Sequence, residues 1–195
     1  MKKKSAIPVI MTILLNLMVL SSLFAQEEPK PVTDFYLALP ADRYSHPFGK
    51  EIKSRSELIN YRKSLITIAD IKNGYLKLDQ NESEGWSEFA LFKKADGSYL
   101  LAVSEISCGP GCTGELQFLT YKNNKWTDVT RQYAPKIPAG ADPEEYENYW
   151  ALPRVGRTLV LVVTNEGVKE EGEKLVRREY KFEWNGTGFI RKEEK

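Results

Sequence analysis

Residues 87–104, SEFALFKKADGSYLLAVS, contain the pattern that decides the fold. Two runs rich in apolar residues flank Asp96-Gly97, a dipeptide whose backbone tolerates the positive φ angles of a tight type I′ turn. This arrangement predicts a β-hairpin. The next segment repeats it, because Glu115–Tyr121 alternates between polar and apolar residues and Lys122–Lys125 predicts a second turn.

The strand pattern continues towards both ends of the chain. Tyr75–Leu78 begins to alternate directly after Asn73-Gly74, and Leu175–Trp184 leads into a turn at Asn185-Gly186. Between these segments, Arg157–Thr164 is a nearly continuous apolar run, which is typical of a strand buried on both faces. The succession of hairpins predicts an antiparallel β-meander.

Helical signals precede the strands. Ser54–Leu65 begins with a capping box, in which Ser54 and Glu57 each satisfy a backbone amide of the first turn. Asp34–Pro40 predicts a shorter helical segment. The sequence therefore predicts an α+β fold, with short N-terminal helices packed on a mainly antiparallel β-meander that forms a partial barrel or a blade-like sheet.

One long connection interrupts the strands. Residues 133–149 contain three prolines, and Asp142-Pro143-Glu144-Glu145 has the N-cap, the first-turn proline and the early acids of a short helix. The pattern leaves two roles open, a crossing loop or a lid.

The N-terminus has the three parts of a cleaved secretory signal. Lys2–Lys4 is basic, Ile7–Leu20 is mostly apolar, and Ser21–Ala25 contributes the small residues that a signal peptidase accepts. We therefore predict a signal peptide at 1–25, a linker at 26–33, a single domain at 34–195, and a periplasmic or secreted location. An uncleaved N-terminal anchor is the alternative.

The charge of the mature chain limits its partners. Removal of the three signal lysines reduces 28 basic residues to 25, against 27 acidic residues, for a net charge of −2. A nucleic-acid-binding domain normally has a basic face, and an anionic membrane surface attracts basic segments. We expect neither partner, and no membrane span remains after signal cleavage.

Cys108 and Cys112 are the only cysteines, and an even pair in an exported chain is normally oxidised. The intervening Gly-Pro-Gly lets the backbone double back, so we predict a structural disulfide. A redox-active pair is the alternative. His46 is the only histidine, and as a catalytic base it would serve a hydrolase. Zinc would need further soft ligands, so we predict no metal site and no cofactor.

Aromatic residues supply the candidate contact surface. Tyr146, Tyr149 and Trp150 follow the proline-rich connection, and Trp126 lies beside a predicted turn. Tyrosine and tryptophan dominate the energetic centres of interfaces, but aromatics also fill β-cores. We predict a binding surface at these four residues, with core packing as the alternative.

Four phrases also carry a resemblance. NGYLKL (73–78), ALFKKADGSYLLAVS (90–104), SCGPGC (107–112) and KWTDVT (125–130) resemble uncharacterised exported bacterial proteins, and the hairpins are similar to β-propeller blades. The resemblance implies bacterial export, and it transfers no functional residues.

Three functions follow as hypotheses. The first is a non-enzymatic binding module of the cell envelope or extracellular space, which recognises a protein or glycan through loops near Cys108–Cys112 and Tyr146–Trp150. The second is a secreted enzyme, either a hydrolase using His46 or a thiol-dependent protein using Cys108 and Cys112. The third is an inhibitor of an external hydrolase.

Overall fold

The computed structural model describes residues 31–41, 43, 52–79, 85–139, 141, 146–166 and 172–193. The predicted signal peptide, most of the linker, His46 and the predicted helix at 142–145 lie outside the described residues. The helices are α1 (Val32–Ala38), α2 (Arg55–Ser64) and α3 (Thr130–Tyr133). The strands are β1 (Ile66–Asp70), β2 (Tyr75–Asp79), β3 (Gly85–Lys93), β4 (Tyr99–Cys108), β5 (Cys112–Lys122), β6 (Lys125–Asp128), β7 (Glu147–Ala151), β8 (Thr158–Thr164), β9 (Arg177–Trp184) and β10 (Phe189–Arg191).

The strands form two antiparallel sheets. A six-stranded meander has the order β1-β2-β3-β4-β5-β6, and a four-stranded sheet has the order β10-β9-β8-β7. Mainly antiparallel sheets with a few short helices confirm the coarse fold prediction. Neither sheet closes into a barrel in the described part of the chain. Among the described helices, none is long and apolar enough to cross a membrane.

The decisive hairpin forms with a different turn from the predicted one. β3 and β4 pair from Gly85↔Ser107 to Lys93↔Tyr99, but only Gly97 of the turn has a positive φ, of 85°. A type I′ turn requires positive φ at both central residues. Asn123 and Asn124 meet this requirement, with φ of 51° and 59°, and connect β5 to β6.

The six-stranded sheet is the middle layer of the domain. Alternate residues of a strand point to opposite faces, so Leu100 and Ala102 of β4 face the four-stranded sheet while Leu101 and Val103 face the helices. The core between the sheets includes Phe92, Phe118, Trp150, Leu161, Phe182 and Trp184. The core beneath the helices includes Phe35, Tyr36, Leu39, Leu76, Phe89 and Leu119.

Helix α2 begins after the predicted N-cap, Ser54, while Glu57 accepts from the amide one residue before it. The Ser54 hydroxyl accepts a hydrogen bond from the Glu57 amide at 3.1 Å, and Glu57 accepts one from the Lys53 amide at 3.1 Å. The same helix carries Arg62, which is completely buried. Its guanidinium donates to the carbonyl oxygens of Leu39 and Pro40, each at 2.7 Å, and so holds the chain beyond α1 in place.

The prediction of a loop at Tyr146–Trp150 is wrong. These residues lead into β7, which pairs with β8 from Glu147↔Thr164 to Ala151↔Val160. The carbonyl of Trp150 accepts a hydrogen bond from the Ser104 hydroxyl of β4 at 2.6 Å. An edge strand presents unpaired backbone groups, and here a side chain of the neighbouring sheet satisfies one of them.

Candidate functional site

A single covalent crosslink closes one end of the six-stranded sheet in the described structure. Cys108 and Cys112 form a disulfide, as predicted, and stand directly opposite each other at the end of the β4–β5 ladder. The amide of Gly109 donates to the carbonyl of Gly111 at 2.8 Å across the turn. The disulfide is compatible with an oxidising, exported location.

Strand β7 crosses this end of the sheet at close range. A Cβ atom at Gly114 would lie 3.0 Å from the Cβ of Tyr149, so a larger residue there would force the two strands to shift apart. A Cβ atom at Gly111 would overlap the carboxylate of Glu147. We call this region, residues 85–88, 105–115 and 147–150, the disulfide end.

Glu88 is a buried carboxylate that joins the two sheets at the disulfide end. One carboxylate oxygen accepts from the Leu152 amide at 2.7 Å, and the other accepts from the Trp86 indole N–H at 3.2 Å. The Tyr75 hydroxyl is also hydrogen-bonded to this carboxylate; burial, with the Glu88 charge as a second cause, raises the pKa of Tyr75. Buried charges are tolerated when they are hydrogen-bonded in this way.

Trp86 and Tyr149 form an aromatic corner beside the disulfide loop. Their ring centroids are 6.1 Å apart with an interplanar angle of 76°, which is the edge-to-face geometry that aromatic pairs favour. The ammonium of Lys77 lies 4.6 Å from the Trp86 ring centroid, a cation–π contact. Both rings are half-buried.

Two carboxylates face each other on the other face of the disulfide end. Glu105 of β4 is directly opposite Glu115 of β5. Burial, and then the Glu115 charge, raises the pKa of Glu105. Like charges directly opposite each other in a ladder destabilise it.

Replacement of Glu105 with glutamine is therefore expected to stabilise the protein at neutral pH. A raised carboxyl pKa means that the folded state binds the proton more tightly, so wild-type stability falls as pH rises from about 4. At pH 7 we expect the free energy of unfolding to rise by about 0.5 kcal/mol, because neither carboxylate is fully buried and solvent screens their repulsion.

Urea unfolding at pH 7 and pH 4 measures this gain, with the exposed Glu166→Gln as the matched control. The advantage of Glu105→Gln should shrink at the lower pH. An advantage equal at both pH values would rule out the electrostatic cause.

The four predicted contact residues do not form one surface. Trp150 is only 5% exposed, so it belongs to the core between the sheets and offers no surface to a partner. Adjacent residues of a strand point to opposite sides, which separates Trp150 from Tyr149. Tyr146 packs against the same core, and the Arg178 guanidinium lies 5.5 Å from its ring centroid.

Trp126 lies on the opposite face of the six-stranded sheet, at the β5–β6 turn. Its indole N–H donates to the carbonyl of Ala38 at 3.1 Å, and its ring centroid is 4.9 Å from that of Tyr121. It packs against the core beneath the helices. The structure therefore places Tyr149 beside the disulfide loop and Trp126 on the helix-covered face of the six-stranded sheet.

The sequence interpretation missed Lys77, Trp86 and Glu88 as parts of the site. The available signal was the spacing of Trp86 and Glu88, since residues two apart on a strand share a face. That face becomes a site only because β7 crosses it, and no local pattern predicts the crossing.

A solved structure has a similar fold. It is a domain of an uncharacterized protein from Porphyromonas gingivalis W83, and it matches with a TM-score of 0.59 and 14% identity over 83% of this chain and 97% of that one. At this identity the likeness concerns the fold alone. No protein-family model matches the chain, and no curated protein matches it. A fold shared with an uncharacterised bacterial domain agrees with the resemblance drawn from the sequence.

Proposed function

We propose that the protein is an exported, non-enzymatic binding module that recognises a glycan or a protein through the disulfide end. The observation that carries the proposal is the placement of Tyr149 over Gly114, beside Trp86 and the loop that the disulfide closes. Aromatic side chains supply much of the binding energy at recognition sites.

The site is held in shape before any ligand arrives. Hydrogen bonding to Glu88 fixes the Trp86 indole, close packing on Gly114 fixes Tyr149, and the disulfide fixes the turn. A surface that is already ordered loses less entropy when it binds. This supports recognition as the role of the disulfide end.

The chemistry of Glu88 favours binding over catalysis. A general base must reach a substrate proton and accept it. Both oxygens of Glu88 already accept hydrogen bonds from Trp86 and Leu152, and Tyr75 is hydrogen-bonded to the same group. The carboxylate is thus an anchor for the aromatic corner.

Replacement of Tyr149 with alanine is expected to weaken ligand binding at least about tenfold, which is the size of an interface hot spot. The full mature chain is tested on an oligosaccharide array and against extracts of envelope proteins, and each retained ligand is titrated. Tyr121→Ala is the matched control, because Tyr121 is half-buried, as Tyr149 is, but lies in the six-stranded sheet. It lies about 23 Å along β5 from Gly114.

We expect Tyr121→Ala to bind as wild type does. Both variants must melt cooperatively, so that a loss of affinity reports the surface. A loss in Tyr121→Ala with full binding in Tyr149→Ala would move the surface to the face of Trp126 and overturn the proposal.

A further inference from the structure

The disulfide contributes to the shape of the disulfide end more than to the stability of the fold. Cys108 and Cys112 enclose three residues, and a disulfide stabilises a protein less when the loop that it closes is shorter. Apart from Trp150, the buried residues of both cores lie elsewhere along the strands, under α1 and α2 or between the sheets. Loss of this bond should leave both cores intact.

The same bond has a direct structural effect on the candidate site. It fixes a turn in which Gly111 packs against Glu147 of β7. Three residues further along β5, Gly114 packs against Tyr149. With the bond open, Gly109-Pro110-Gly111 would be an unclosed turn rich in glycine, a residue with large backbone freedom.

The disulfide is also accessible from solvent. Gly109 and Pro110 are exposed, and both cysteines are only half-buried. Thiol–disulfide exchange requires an attacking thiolate to reach a sulfur, and the exposed turn allows that approach. Structural disulfides inside a core have no such access.

We infer that the Cys108–Cys112 bond is a redox-sensitive clamp that controls the disulfide end, an inference that rests on the proposed function. The reductant is a dithiol. One of its thiolates attacks Sγ of either cysteine, the S–S bond breaks, and the other cysteine leaves as a thiolate that takes up a proton. The second thiolate of the donor attacks the mixed disulfide, so the protein gains two thiols and the donor leaves as a disulfide.

Opening the clamp has a local consequence. The turn loses its closure, the contact of Gly111 with Glu147 loosens, and Tyr149 loses its fixed position against Gly114. Ligand binding then costs more conformational entropy, because the aromatic corner must be ordered when the ligand binds. The oxidised protein is the high-affinity form and the reduced protein is the low-affinity form.

The test uses the full mature chain and dithiothreitol as the dithiol probe. Under native conditions we expect two thiols per molecule to become titratable. Hydrogen exchange followed by mass spectrometry should then show at least about tenfold faster exchange in 107–115 and 147–150, the signature of local opening. Exchange in 100–103 and 159–163 should stay unchanged, and the melting temperature should fall by only a few degrees.

The Cys108→Ser/Cys112→Ser double variant should reproduce the reduced state without a reductant. Three results would overturn the clamp: thiols that appear only on global unfolding, unchanged exchange in 147–150, or collapse of the whole fold on reduction. These readouts need no ligand. Failure of the clamp is therefore distinguishable from failure of the proposed function, which the Tyr149→Ala titration tests.

Discussion

Replacement of Arg62 with methionine is expected to lower the free energy of unfolding by about 2–3 kcal/mol, because backbone carbonyl acceptors beneath α2 lose a charged hydrogen-bond donor. Arg62 is 0% exposed, and its guanidinium donates to the carbonyls of Leu39, Pro40 and Arg43, each at 2.7 Å. It also lies 5.7 Å from the ring centroid of Tyr36. Methionine fills similar volume but removes the Arg62 donors from one buried and two partly buried carbonyls. The carbonyl of Leu39 keeps a second donor, the Arg55 guanidinium at 3.3 Å.

Lys63→Met is the matched control for this prediction. Lys63 follows Arg62 on α2 and is exposed, so its replacement should change stability by no more than about 0.5 kcal/mol. Urea unfolding followed by far-UV circular dichroism measures both variants. Equal small effects would show that Arg62 does not hold the segment after α1 to the helix.

Replacement of Glu88 with alanine is expected to lower the free energy of unfolding by about 3 kcal/mol. It should also release Trp86 from its fixed orientation. The change leaves the Leu152 amide and the Trp86 indole N–H without their acceptor, and unsatisfied buried donors are costly. The Tyr75 hydroxyl loses its partner as well. Glu88 is 9% exposed, so water replaces the carboxylate only in part.

Chemical denaturation and tryptophan fluorescence measure this effect. Glu166→Ala is the control, because Glu166 is an exposed carboxylate outside the disulfide end. It should stay within about 0.5 kcal/mol of wild type. Wild-type stability and an unchanged emission spectrum in Glu88→Ala would contradict the role of Glu88 as the link between the sheets.

Local signals in the sequence predicted the hairpins and helix α2 well. The capping box of Ser54 and Glu57 acts within four residues, and turns at Asn123-Asn124 and Asn185-Gly186 depend on the backbone freedom of a few residues. Short-range physics decides such features. The β3–β4 turn differs from type I′ because the residues that connect these strands extend beyond Asp96-Gly97.

Strand β7 could not be predicted in the same way. Glu147 and Asn148 give it a polar start, and strand preference depends on packing with neighbours more than on the residue itself. Its backbone bond to the other sheet runs from the Ser104 hydroxyl to the Trp150 carbonyl, and these residues are 46 positions apart in sequence. A long-range contact of this kind has no local signature.

The candidate site shows the same limit. The disulfide could be predicted from two cysteines in a chain with a predicted export signal, but the partnership of Glu88 with Leu152 joins residues separated by 64 positions. In the sequence, Glu88 occupies an ordinary polar position of an alternating strand. Its burial results from the docking of the second sheet, so the sequence alone could not identify it as an anchor.

Hydroxyl-radical footprinting of the bound protein tests most directly whether the disulfide end is the recognition surface. The sample is the full mature chain with a ligand retained from the array or the extract. We expect protection of Tyr149, Trp86 and Pro110 on binding, with Tyr121 and Trp126 oxidised as in the free protein. Protection of Tyr121 and Trp126 with unchanged oxidation of Tyr149 would contradict the proposed function.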